Sequence, residues 1–470
     1  MTSHFGFNHV TEDILVELRS VVGDTNVKTD EEALQKYASD ETEDFVFRPE
    51  AVVLPRSTAE VSGIMRIASR HHVAVTPRAG GTGLSGGALP VHGGILLGME
   101  RMNRILEIDR DNLMAVVEPG VITQELQETV EKSGLYYPPD PASRGSSLIG
   151  GNLAECAGGP HAVKYGVTKD YVLGIEAVLA DGTLIRHGGK LLKNSTGYNL
   201  TQLIVGSEGT LAVITKIYLK LIPLPKRRSL LLIPFPTLEA AARTVPAVMN
   251  AGITPSVLEF MERDAVKASE RHLGVSVPNS DATAQLIVEL DGDEESVIQS
   301  AAEEICRIAL DKGASDVLIA ESSARQNEIW TMRRATGEAV KSISVYKEED
   351  TVVPRYNLVP LLVGVKEIAR RYGITTVCYG HAGDGNLHVN ILKMDMSDEE
   401  WSESLDPAIR EIFELTVSLG GTISGEHGIG YSQKRYLSIA FSADEIALMK
   451  KIKHAFDPEG ILNPGKIFPS

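Results

Sequence analysis

Tyr379-Gly380-His381-Ala382-Gly383-Asp384-Gly385-Asn386-Leu387-His388 predicts a β-hairpin, with one strand from Thr375 to Ala382 and a second from Leu387 to Leu392. Asp-Gly is a strong two-residue hairpin signal, because the favoured turn needs positive φ at both central positions. With Asp384 and Gly385 in those positions, His381 falls directly opposite His388. Opposed side chains share a face, with Cβ atoms roughly 4.5–5.5 Å apart. Two imidazoles so placed form half of a divalent-metal site; the alternative is a pair of polar histidines on a sheet surface. Downstream, Gly425-Glu426-His427-Gly428 could supply a carboxylate ligand and a base. The alternative there is a loop ion pair or a capping residue.

The chain as a whole bounds these readings. Its 470 residues are too many for one ordinary core, which predicts two or three domains. With 43% hydrophobic and 23% charged residues it has the composition of a soluble globular protein. No apolar run approaches the ~20 residues that span a bilayer. Met1 to Asp13 has neither a basic nor an apolar signal region, so the expected location is cytoplasmic, touching a membrane only through a partner. The net charge of −17 argues against nucleic acid as a partner. Cys156, Cys306 and Cys378 are widely separated, which excludes a disulfide framework and argues against an iron–sulfur cluster within the chain.

Residues 12–40 read as a charged helical lead-in. From Phe45 to Ile222 short β runs alternate with helices and many glycines. Leu221-Ile222-Pro223-Leu224-Pro225-Lys226-Arg227-Arg228 marks the expected domain boundary. Beyond it, strands (Leu230 to Ile233, Ala284 to Leu290, Asp316 to Ala320) alternate with helices (Leu238 to Asn250, Glu294 to Lys312). That order predicts an α+β domain whose sheet is covered on one face. A last helix, Asp444 to Phe456, stops at Asp457-Pro458-Glu459-Gly460. The expected division is 1–225 (core 46–224), 226–420, and a C-terminal segment, 421–470.

Pro77-Arg78-Ala79-Gly80-Gly81-Thr82-Gly83-Leu84-Ser85-Gly86-Gly87 follows an apolar strand, Val73 to Val75. Glycines admit close backbone approach, and successive N–H groups can cradle a pyrophosphate. Gly81, Gly83 and Gly86 match the spacing of a dinucleotide fingerprint, which requires a helix to begin there. Ala88-Leu89-Pro90-Val91-His92-Gly93-Gly94 follows instead, so a Rossmann NAD site is rejected. Small residues recur at Gly150-Gly151-Asn152, Gly158-Gly159, Gly166, Asn194 to Leu200 and Gly206-Ser207-Glu208-Gly209. Separate small-residue loops point to a long ligand lying against backbone.

These motifs resemble the type-4 FAD-linked oxidases of the vanillyl-alcohol oxidase/p-cresol methylhydroxylase superfamily. The resemblance covers nearly the whole chain, including Asn463-Pro464-Gly465-Lys466. Within the family the chain looks like the glycolate oxidase D-subunit, D-lactate dehydrogenase and D-2-hydroxyglutarate dehydrogenase branch. The resemblance implies an α+β chain: a two-part FAD-binding domain of the p-cresol methylhydroxylase (PCMH) type, then a cap domain with an antiparallel sheet, the C-terminal segment returning to the flavin. It implies that Gly80, Gly81, Thr82, Gly83 and Ser85 hold the pyrophosphate, with Arg78 and Asn463 also on the cofactor. Gly150, Gly151, Asn152, Gly158, Gly159, Gly166, Glu208 and Ile214 are then expected to line the flavin. Some relatives carry a flavin-linking histidine where this chain has Thr82, so non-covalent FAD is expected.

By the same resemblance His381, His388 and Glu426 bind a divalent cation. The ligand set suits zinc, iron, manganese or cobalt. His427 is the candidate general base, since imidazole titrates near neutrality. Arg333, in Trp330-Thr331-Met332-Arg333, and Lys347 are the expected anchors for a substrate carboxylate, with Asn386 touching substrate or flavin. Hydroxyglutarate enzymes carry a hydroxyl near Gly337; an aligned gap would place Thr336 there instead. The expected activity is oxidation of a small D-2-hydroxy acid, D-lactate or glycolate. Electrons would pass to a separate acceptor: an iron–sulfur subunit, an electron-transfer flavoprotein, or a quinone or cytochrome route. Rival readings are an FAD electron-relay subunit, an oxygen-using oxidase and a flavin-free metal hydrolase. Assembly is left open, with a homodimer as the candidate.

Overall fold

Between Leu224 and Pro225, at the Pro-rich basic stretch, the chain passes from one folding unit to another. A computed structural model describes residues 6–469; Met1 to Phe5, part of the N-terminal segment read above for a signal, lie outside the described residues. The first unit comprises 1–158, 167–224 and 426–470, and the second 159–166 and 225–425. Among the described residues no helix is long and apolar enough to cross a membrane. Cys156, Cys306 and Cys378 are free thiols.

The first unit holds two principal sheets. One has strands β1 (Val27–Lys28), β2 (Ala51–Val53), β3 (Val75–Arg78) and β4 (Ile95–Gly98), in the order β1-β2-β4-β3. β4 pairs in parallel with β2 and β3, and β2 and β4 carry continuous apolar runs, as strands covered on both faces do. Helices Glu12–Val22 and Thr58–His71 pack on this core through residues at helical spacing: Ile14, Leu15 and Leu18, and Val61, Ile64, Met65 and Ala68. Each begins with a side-chain cap, Thr11 or Ser57. The second sheet is antiparallel: β5 (Ile105–Asp109), β6 (Met114–Val117), β8 (Val172–Val178), β9 (Leu184–Gly188) and β10 (Val213–Lys220), in the order β5-β6-β10-β8-β9. A small pair joins β7 (Leu135–Tyr136) to β11 (Ile222–Pro223). The C-terminal tail returns to this unit, where Leu462 bridges Val75 in parallel. No helix follows β3; its glycine loop runs on to β4 as turns and bends.

In the second unit seven strands form one antiparallel sheet. They are β12 (Arg227–Phe235), β13 (Val257–Glu262), β14 (Ala284–Gly292), β15 (Leu318–Ala320), β16 (Tyr346–Val352), β17 (Thr375–Gly380) and β18 (Asn386–Leu392), ordered β15-β12-β14-β13-β17-β18-β16. The sheet is covered on both faces, not one. Leu230, Leu232, Val257, Met261 and Ile287 join a core with helices Arg263–Leu273 and Ser323–Lys341. The alternate residues Leu231, Ile233, Leu258, Phe260, Leu286 and Val288 are equally buried, and helices Leu238–Asn250 and Glu295–Asp311 contact β12 and β14. Leu230 to Ile233 is a continuous apolar run, which is the pattern of a strand buried on both sides.

The hairpin forms with a different register. Tyr379, not His381, lies opposite His388, because β17 ends at Gly380 and residues 381–385 make a longer connection. Gly385 has φ +85°, while Asp384 is not left-handed. His381 O accepts from the backbone N–H groups of Asp384 and Asn386, closing the connection on itself. A Cβ on Gly385 would lie 1.9 Å from Val353 O, so this glycine is required for close approach as well as for φ. Gly373 also has positive φ, but open space around it. Gly385→Ala should therefore lower unfolding free energy by about 2–4 kcal/mol, against about 1 kcal/mol for Gly373→Ala. Paired urea denaturation curves check this, and equal losses would contradict it.

Candidate active site

The second unit gathers polar residues on the sheet face that packs the Ser323–Lys341 helix. Glu259 on β13 is fully buried. Its Oε1 lies 2.7 Å from His381 Nδ1, and its Oε2 accepts from Arg333 Nε at 2.7 Å and Nη2 at 2.5 Å. The Arg333 guanidinium also lies over the Tyr379 ring, 5.2 Å from its centre. Burial alone would push the Glu259 carboxyl up, but the charges and hydrogen bonds of Arg333 and His381 outweigh it and hold it below the ordinary range. The His381 and His388 rings stand nearly perpendicular, with centres 5.3 Å apart. The longer connection thus still brings the two imidazoles together.

Asp350 on β16 lies directly opposite His388 and has no exposed surface. Its Oδ1 accepts from Asn386 Nδ2 at 2.6 Å and is 3.7 Å from His388 Nδ1. Its Oδ2 accepts from Ser424 Oγ at 3.0 Å and from Gly425 N at 2.8 Å. Glu348 Oε1 is also 3.7 Å from His388 Nδ1. Asn386 was expected at substrate or flavin, yet its two amide N–H donors go to Asp350 and to Thr351 O. Lys347 is not brought to the histidines. It pairs with Ile391 in an unbroken register, and the pleat turns it to the face opposite His388. Thr336 is buried against Ser269 Oγ and Met332 O. Gly337, one helical turn beyond Arg333, instead looks toward Tyr379, whose hydroxyl would lie 3.6 Å from a Cβ there.

The first unit carries Glu426 and His427, with His427 Nε2 3.9 Å from Glu426 Oε1. Their functional atoms converge, although neighbours in a chain usually diverge. Glu208 fixes the segment that follows: its carboxylate accepts from Ile429 N at 2.8 Å and Gly430 N at 2.6 Å. A Cβ on Gly158 would meet Glu426 Oε2 at 2.8 Å, so that glycine leaves room for the carboxylate. Asn463 donates to Gly87 O and Glu208 O, and Lys466 donates to Leu89 O and Asn463 Oδ1. Burial pushes the Lys466 ammonium down to about 7 despite nearby Glu208.

The glycine loops of this unit converge as backbone. A Cβ on Gly80 would come within 2.8 Å of Ser146 O, one on Gly150 within 2.6 Å of Pro119, and one on Gly151 within 3.1 Å of Ala79. Arg78 folds back across Gly81 to donate to Ser39 O, so it braces the loop. Asn152 donates to Thr123 Oγ1, and Ile214 is buried at an irregularity of β10. Thr82 and Gly83 remain partly accessible. Ser85 Oγ is buried with no hydrogen-bond partner among the described residues. A hydroxyl left in that state fits a ligand's anionic group beside a backbone cradle. Gly159 and Gly166 frame a short segment grouped with the second unit; there Lys164 donates to Asp291 O, and His161 lies 3.4 Å from Glu289.

Two family models match the chain: FAD binding domain over residues 49–188, and FAD linked oxidases, C-terminal domain, over 224–467. The chain belongs to the FAD-linked oxidases. FAD is therefore its cofactor, and the glycine loops of residues 80–166 lie within the matched FAD-binding domain. Glycolate oxidase subunit GlcD of Bacillus subtilis is 41% identical over 98% of this chain and 97% of its own length. D-lactate dehydrogenase of Anaerostipes hadrus is 35% identical over 99% of both. The fold is that of p-cresol methylhydroxylase, at a TM-score of 0.81 and 17% identity over 98% of both chains.

Sequence reasoning about this FAD-linked oxidase missed Glu259, Glu348 and Asp350, which hold His381, His388, Arg333 and Gly425. Because its folded value lies below the ordinary 4.5, Glu259 adds stability that is complete above that pH and is lost as pH falls through the depressed value. The wild type should thus lose stability more steeply than Glu259→Gln below about pH 4.5. Urea unfolding between pH 3 and 7 tests the sign, and parallel curves would contradict it.

Proposed function

We propose that this chain is a flavin-dependent dehydrogenase that converts a small D-2-hydroxy acid, D-lactate or glycolate, to the 2-oxo acid. The juxtaposition that carries this reading is two facing imidazoles beside an arginine, in a chain whose other half binds FAD. His381 and His388 supply two ligands to a divalent cation, and Glu426 the third. Gly425 is pinned to Asp350, and Glu426 follows by one peptide bond. The donor set, two nitrogens and one carboxylate oxygen, suits zinc, iron, manganese or cobalt. When bound, FAD supplies the hydride acceptor at N5 and the cation a Lewis acid at the substrate hydroxyl.

The protein's own groups do the rest. Arg333 takes the substrate carboxylate with N–H donors beyond those given to Glu259, since a guanidinium carries five. His427 accepts the hydroxyl proton at its unprotonated ring nitrogen as the C2 hydride departs. Gly337 leaves position 337 without a hydroxyl for a second carboxylate, and Thr336 is turned into the core. That favours lactate or glycolate over hydroxyglutarate. Lys347, on the other face of the sheet, is left out of the anchor. Three separated cysteines, and a glycolate oxidase relative that is itself named a subunit, support a separate electron carrier.

The anaerobic absorption spectrum, recorded before and after D-lactate, L-lactate and glycolate, tests the reading. The flavin band should bleach with D-lactate or glycolate and persist with L-lactate. His427→Ala should keep its flavin and slow bleaching roughly 10²–10⁴-fold. Flavin that no 2-hydroxy acid bleaches, with metal supplied, would sink the activity while leaving the family intact. Bleaching unaffected by His427→Ala would remove that residue's role as base; activity of an assembled complex left intact by the same substitution would favour an electron-relay subunit, and rapid peroxide formation in air an oxidase.

A further inference from the structure

A histidine that binds a cation must present one ring nitrogen without a proton, and the partner of the other nitrogen decides which. His381 has such a partner. Its Nδ1 is 2.7 Å from Glu259 Oε1, and an ionised carboxylate only accepts, so Nδ1 carries the proton and donates. Nε2 is then left as the ligand atom. The same contact fixes the ring's rotation, because Glu259 is on a strand in the middle of the sheet and is fully buried. Its second oxygen is held by Arg333, which supplies the countercharge that lets a buried carboxylate remain ionised.

A second glutamate provides an internal comparison. Glu289 lies opposite Val257 and Glu259 opposite Ile287, so the pleat puts both glutamates on one face. Glu289 accepts from Trp330 Nε1 at 3.0 Å, one helical turn before Arg333, and faces His161 at 3.4 Å. Each glutamate thus joins the Ser323–Lys341 helix to one histidine, but only Glu259 reaches a candidate ligand. We propose that Glu259 is a positioning residue for cation binding: it selects the His381 tautomer and aims Nε2, so cation affinity depends on a carboxylate that touches no cation. This rests on the cation reading of the preceding section.

The test is competition between a chromophoric chelator and FAD-replete, cation-stripped protein for Zn²⁺ or Co²⁺, without substrate. Wild type and Glu289→Gln should bind one cation with equal affinity, and His381→Ala should lose it. Glu259→Gln should bind roughly 10–100-fold more weakly, with flavin content unchanged. Affinity within threefold of wild type would overturn the positioning role while the cation reading stood. A wild type that binds no cation would remove both. Should Glu259→Gln fail to fold, the ¹⁵N shifts of labelled ring nitrogens in the stripped wild type decide. A proton on Nδ1 of His381 supports the proposal, and a proton on Nε2 of the neutral ring overturns it.

Discussion

Carboxylates with almost no exposed surface stay ionised inside a sheet only where their charge and lone pairs are met. Glu259 and Glu289 satisfy that condition on one face of the second unit, and Asp350 on the same face has both oxygens met by donors. An unpaired buried charge costs several kcal/mol or more. Each partner is therefore held about as firmly as the strand itself. Trp330 and Arg333, three residues apart on one helix, dock to Glu289 and Glu259. Asn386, Ser424 and Gly425 dock to Asp350. The Trp-x-x-Arg spacing then has a structural cause: it matches two glutamates on neighbouring strands. Side chains expected at substrate are partly occupied in holding that frame, and Asn386 wholly so.

The first unit solves a related problem with backbone. Glu208 takes φ +51° and spends its carboxylate on the N–H groups of Ile429 and Gly430. Asn463, also at positive φ, ties Gly87 to Glu208. Non-glycine residues in this region carry strain, and here each is repaid by hydrogen bonds that only that conformation reaches. Gly428 could not be replaced freely, since a Cβ there would meet Glu155 and Glu208. The segment after His427 is thus set by buried carboxylates too, and burial raises both of them.

Much of this was legible in the sequence where local chemistry decides. The helices Leu238–Asn250 and Ala443–Phe456 and the absence of a helix after the glycine loop all follow from caps, prolines and glycine runs. The hairpin was legible as a hairpin but not in register. Asp-Gly looks the same whether it forms a two-residue turn or ends a longer connection, and contacts with Val353 choose between them. Glu259 was not legible, since β13 was not among the expected strands and a glutamate between Leu258 and Phe260 becomes a core group only because both faces of the sheet are buried. Lys347 failed similarly, since a one-residue offset along β16 exchanges faces.

Charge along that face bears on how an anionic substrate is received. Glu259 lies against His381, Glu348 and Asp350 lie 3.7 Å from His388 Nδ1, and Arg333 pairs with Glu259. Carboxylates disfavour a second anion beside them unless positive charge is set against them, and at low effective dielectric the effect amounts to several kcal/mol. A divalent cation held as proposed above would offset that repulsion with its two charges. Glu259 would then serve both the arginine it pairs with and the imidazole it orients. Under the proposed reading, buried acid beside an anion site is the means of orienting the groups that hold the ion, not a flaw in it.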